Sequence, residues 1–116
     1  MPPGTSTRTM PLLVIRISEP LDSARVPFVV GLLDDAVGVR PGHLVVDLTE
    51  CEYLDAAGIM LLIDVHRRVW QDGGRMTLRG LSPRLRRILE IARVNRVFGT
   101  ATGADDTRRD PSLEAP

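Results

Sequence analysis

The Asp55-Ala56-Ala57-Gly58 stretch raises the first chemical question in this chain. It lies where one apolar run, His43 to Leu48 closing at Tyr53-Leu54, gives way to another from Ile59 to Trp70. A carboxylate at such a junction can cap a helix by accepting a hydrogen bond from a first-turn amide. The free amides of a helix start also form a natural anion site. Ala56 and Ala57 are small and helix-favouring, and Gly58 lets another backbone approach closely. None of the four residues is a nucleophile. Asp22 and Asp47 are the other carboxylates expected at strand ends. A small enzyme built on this pattern would therefore have three aspartates and no attacking group. No Gly-rich phosphate loop and no Ser/His/Asp arrangement occurs.

The remaining reactive side chains do not form a site of their own. His43 opens a strand and His66 lies on a helix, and neither has a His, Cys or carboxylate partner at metal-ligand spacing. Cys51 stands between Glu50 and Glu52, whose charges disfavour a thiolate. It is the single cysteine, so an internal disulfide and a cysteine-based metal cluster are both excluded. Thr49 is the aliphatic hydroxyl nearest to the Asp55 loop in sequence. Arg84, Arg86, Arg87 and Arg93 give one helix a basic face. No cofactor and no metal are expected.

The elements that must position these residues follow from periodicity and punctuation. Leu12 to Ile17 reads as a strand, and Val26 to Val37 as a helix with Val26, Val29 or Val30, Leu33 and Val37 at helical spacing. Asp22 or Ser23 is the expected cap, and Pro27 fits only in the first turn. Arg40-Pro41-Gly42 precedes a strand over His43 to Leu48, whose continuous apolar run suits burial on both faces. The next helix runs from Asp55 to about Asp72 and stops at Gly73-Gly74. Arg75 to Arg79 alternates as a strand. Ser82-Pro83 opens a third helix, Arg84 to about Arg93, expected to bury Leu85, Ile88, Leu89 and Ala92. A short strand is expected near Arg96-Val97-Phe98. The order predicts an α/β fold: a four- to five-stranded, mostly parallel sheet with three or four helices. A leader (1–9) and a tail (101–116) have little to bury and are expected to be disordered around one domain, residues 10–100.

The bulk numbers narrow the class. A chain of 116 residues suits a single core. Fifteen basic residues balance fifteen acidic ones, which gives no electrostatic argument for nucleic acid or an anionic membrane. No lysine occurs; with the richness in Gly, Pro and Ala this suggests a GC-rich bacterial genome. No run approaches the roughly 20 apolar residues of a membrane span, and no signal-peptide pattern opens the chain. A soluble, cytoplasmic protein is expected.

The second helix has a wider apolar face than one sheet contact needs. Leu61, Val65, Val69, Leu62, His66, Ile59, Trp70 and Ile63 span about 200°, against roughly 100° for a simple core-facing stripe. Met60 falls on the otherwise polar side, and Asp64 and Arg68 stand at salt-bridge spacing. Two accounts fit: the third helix covers the excess, or Ile59, Met60 and Ile63 form part of a docking patch, where methionine is well suited.

Read in order, these pieces resemble the STAS domain of anti-sigma factor antagonists over roughly Leu12 to Phe98. The matching pieces are Glu19-Pro20-Leu21-Asp22, Val45-Val46-Asp47-Leu48-Thr49, Asp55-Ala56-Ala57-Gly58-Ile59, Asp72-Gly73-Gly74-Arg75, and Ser82-Pro83 through Leu89-Glu90 to Val97-Phe98. In that family the loop reads Asp-Ser-Ser-Gly or Asp-Ser-Thr-Gly, and the first serine is phosphorylated. A phosphate there brings about −1.5 to −2 charges against the partner's docking surface. Here Ala56 and Ala57 have no hydroxyl, so the resemblance implies a degenerate phosphorylation site. Pro20 replaces the family's usual turn residue. The resemblance further implies that Asp22 lies near the Asp55 loop. It places the partner surface on Asp22, Asp55, Ala56, Ala57, Gly58, Ile59, Met60 and Ile63. The implied partner is an anti-sigma factor with a histidine-kinase-like ATPase fold. A scaffold role, or a subunit associated with a transporter, is the alternative with the same fold, and a small flavodoxin-like enzyme is a third. Self-association into a homodimer is left open.

Overall fold

The computed structural model describes residues 11–94 and 97–101. The leader (1–9), Arg96 and the tail beyond 101 lie outside the described residues. Among the described residues four strands, β1 (Leu12–Arg16), β2 (His43–Asp47), β3 (Arg75–Arg79) and β4 (Gly99–Ala101), alternate with three helices, α1 (Val26–Gly38), α2 (Ala56–Gln71) and α3 (Pro83–Ile91). All pairings are parallel, and the strands lie in the sheet in chain order, β1-β2-β3-β4. Successive crossovers therefore all advance in the same direction. Because such crossovers are right-handed, the helices gather on one face.

Register shows which face is covered. Leu13 pairs with Leu44 and Leu44 with Met76; Ile15 pairs with Val46 and Val46 with Leu78. All six belong to or pack on the core cluster, which also takes Leu33, Ala36 and Val37 from α1, Leu62, Val65 and Val69 from α2, and Leu85 and Leu89 from α3. The opposite face carries Leu12 and Val14, both exposed, and then Val45 and Asp47. Val45 and Asp47 are buried even there, so β2 is buried on both faces as its composition predicts.

Three local expectations need correction. The cap of α1 is Arg25, not Asp22 or Ser23, and no side chain caps it. Asp22 instead closes the turn just before, where its Oδ1 accepts from the amides of Ala24 and Arg25. That turn consumes the carboxylate, while α1 still begins at Val26, where the periodicity places it. Ala92 is exposed because α3 ends at Ile91 and Arg93 adopts a positive φ of 61°. The last strand forms at Gly99–Ala101, beyond Val97 and Phe98, in register with Thr77–Arg79. α2 and β3 fall where the punctuation placed them.

Candidate functional site

Strands β1 and β2 end at neighbouring positions, and the chain beyond them stays paired. Leu21 and Leu54 form an isolated parallel bridge, with the Leu21 amide donating to the Tyr53 carbonyl at 2.9 Å. The Asp55 amide returns a bond to the Leu21 carbonyl at 3.3 Å. Both leucines are fully buried, so apolar packing backs the junction.

Asp55 holds the two loops together with its two carboxylate oxygens. Oδ1 accepts from the Gly58 amide at 3.0 Å and caps α2. Oδ2 accepts from the Ser23 amide at 2.9 Å, across 32 residues of sequence. These two amides, Gly58's first, hold the Asp55 carboxyl below its ordinary pKa. Gly58 is required by space: a Cβ there would lie 2.0 Å from the Leu21 carbonyl oxygen. Asp22 thus sits beside the Asp55 loop, one residue from the Ser23 contact.

The surface around this junction is mixed. Ala56 is exposed, Ala57 and Ile63 are half-buried, and Met60 is 64% exposed. Ile59, by contrast, is only 8% exposed and belongs to the core cluster. The helical period turns Ile59 inward and leaves Met60 outward. Tyr53 is also exposed, with the Arg84 guanidinium 6.0 Å above its ring. On the other side of the junction Phe28 projects from the first turn of α1, 79% exposed, next to the Arg25–Glu19 ion pair. Phe28 is not among the residues singled out from sequence, and Ser23 is named there only as a possible cap of α1. A large aromatic on the outward side of the α1 pattern is the signal for Phe28; nothing local points to the contact of Ser23 with Asp55.

The other candidates take structural places. The Cys51 side chain is buried and donates to the Tyr53 carbonyl at 3.4 Å; burial pushes its pKa up, with Glu52 adding to the effect. Asp47 accepts from the Thr49 amide and hydroxyl and from Arg79 at 3.1 Å. Burial alone would raise its pKa, but these bonds outweigh that and hold it low. The Thr49 hydroxyl is therefore engaged. His43 Nε2 lies 2.7 Å from the Thr77 hydroxyl. Among the described residues no group of three His, Cys, Asp or Glu side chains could hold a metal ion, and no helix is long and apolar enough to cross a membrane.

This combination of fold and junction defines a protein class. The STAS domain family model matches residues 5–108, and the chain belongs to that family. An anti-sigma F factor antagonist of Paenibacillus polymyxa is 26% identical over 82 residues, 70% of each chain. Among solved structures, an anti-sigma factor antagonist from Mycobacterium paratuberculosis superposes with a TM-score of 0.73 at 21% identity, covering 84% of this chain and 83% of that one. A sulfate transporter family protein from Wolinella succinogenes gives 0.65 at 20% identity, covering 79% and 76%. Both are similar in fold.

Proposed function

We propose that this protein is a non-enzymatic interaction domain that binds an anti-sigma factor of kinase-like ATPase fold, releases a sigma factor in the cytoplasm, and works without a phosphoserine switch. The observation that carries this reading is the Asp55 junction, which presents Ala56 and exposed Met60 on one surface while offering no hydroxyl at either alanine. Asp22, Asp55, Ala57, Gly58 and Ile63 complete or support that surface, and Ile59 anchors it from below. With no phosphoacceptor in the loop, the domain stays competent, and abundance or a competing partner sets its activity.

The test pairs the purified chain with a candidate ATPase-fold partner and ATP. No phosphate is incorporated, and Ala56→Asp weakens binding at least tenfold by setting a charge on the docking surface. Phosphate on the chain, or unchanged affinity in the variant, would refute the proposal. The resemblance to a sulfate transporter family protein supports a second reading, a domain serving a transporter or scaffold. Co-purification of a transport protein in place of a small ATPase would favour it.

A further inference from the structure

A groove of about 490 Å³ opens between the C-terminal half of α2 and the start of β3. It lies about 20 Å along α2 from Asp55 at 1.5 Å per residue, so it is independent of the proposed docking surface. Its apolar lining is Trp70, Met76 and Val97, and its charged lining is Arg67 and Arg75. Among the described residues no acidic one lines it. Among the described residues neither guanidinium has a carboxylate partner, whereas Arg16, Arg25, Arg68 and Arg79 all do.

The aromatic wall is ordered yet open. Trp70 is 67% exposed for a residue of its size, and its ring stacks on His66 at 6.4 Å. His66 in turn meets Phe98 edge-on at 5.7 Å. Among the described residues Nδ1 of His66 has no hydrogen-bond partner. The volume falls within the roughly 300–1,000 Å³ of small-molecule sites.

We propose that this groove binds a small planar aromatic anion, its ring against Trp70, Met76 and Val97 and its carboxylate or phosphate between Arg67 and Arg75. Indole offers a face for stacking, and a guanidinium offers a fork that matches an oxyanion. The same chemistry is found in an aromatic carboxylate and in a purine mononucleotide.

Trp70 is the single tryptophan of the chain, so its indole N–H resonance reports on the groove alone. The full chain is titrated with 2-naphthoate, adenosine 5′-monophosphate and neutral 2-naphthamide while that resonance is followed. At least one anion gives a saturable shift with a Kd below about 1 mM; which one does so assigns the source. Arg67→Gln and Arg75→Gln each weaken it about tenfold, and Arg87→Gln leaves it unchanged. No saturable shift with either anion, or equal binding of the neutral amide, would overturn the proposal. A variant ending at Ala101 binds as the full chain does. Binding tightened more than tenfold by that truncation would instead assign the groove to residues 102–116, and would equally overturn it.

Discussion

Gly58 and Gly31 are both helical glycines, yet alanine at the two positions is expected to act in opposite directions. At Gly58 a Cβ would stand 2.0 Å from the Leu21 carbonyl oxygen and 3.0 Å from Leu21 Cγ, whereas ordinary contact begins near 3.4 Å. The carbonyl would have to retreat by about 1.4 Å. Leu21 is fully buried, and this same carbonyl accepts from the Asp55 amide, so the retreat strains the core and the loop pairing together. Overpacking of this kind costs about 1–3 kcal/mol, and weakening a buried backbone bond adds about 0.5–1.5 kcal/mol. The better helix propensity of alanine returns at most about 1 kcal/mol. The net loss is about 1–3 kcal/mol, which lowers the Tm by about 5–20 °C in a domain of this size. At Gly31 nothing lies within 4 Å of the added methyl, so only the propensity gain remains, about 0.5–1 kcal/mol of stabilisation. Urea denaturation of the two variants, read by far-UV circular dichroism, gives both signs in one experiment. Gly58→Ala as stable as the parent chain would refute the close approach of the two loops.

Other substitutions probe the same frame. Asp47→Asn removes the charge that Arg79 faces and, with its oxygen kept towards Thr49, the Oδ2 acceptor of Arg79, and is expected to cost about 1–3 kcal/mol at neutral pH, read by the urea midpoint. Asp47 and Asp55 both have depressed pKa values in the folded state. Their stabilisation is thus present above the unfolded carboxylate value near about pH 4 and is lost as the pH falls through the folded values below it. The parent chain loses stability below about pH 4 more steeply than Asp47→Asn, measured as midpoints from pH 7 to pH 2. Ser23→Asp sets a second carboxylate against Asp55, and its affinity for the proposed anti-sigma partner is expected to fall while its far-UV spectrum stays that of the parent; unchanged affinity would place Ser23 outside the proposed docking surface.

Much of the frame could be read in the sequence because its signals are local. Asp55 before Ala-Ala and Gly73-Gly74 after Gln71 bracket α2, and the alternation from Arg75 to Arg79 defines β3 without reference to anything distant. Burial was harder to infer. Periodicity places Trp70 on the apolar arc of α2, but no element among the described residues covers that end of the arc, and the ring remains exposed. Ile59 and Met60 are adjacent in the chain and differ in exposure by more than half of their surface, because a 100° step separates core from solvent at the helix start. The Ser23–Asp55 bond joins loops 32 residues apart, and no window along the chain contains both. The cap of α1 was misplaced because Asp22 satisfies a turn that resembles a helix start in sequence.

The Leu21–Leu54 bridge has a consequence for the energetics of association. Loops that carry recognition residues usually lose conformational freedom on binding, at about 0.5–1.5 kcal/mol per immobilised side chain and more for backbone. Here both loops are already tied by main-chain bonds that prolong the β1–β2 pairing, with two buried leucines beneath. Most of the ordering cost is therefore met during folding and not during encounter. A partner docking there, as proposed, would meet a surface already in its binding geometry, with Asp55 holding one oxygen on each loop.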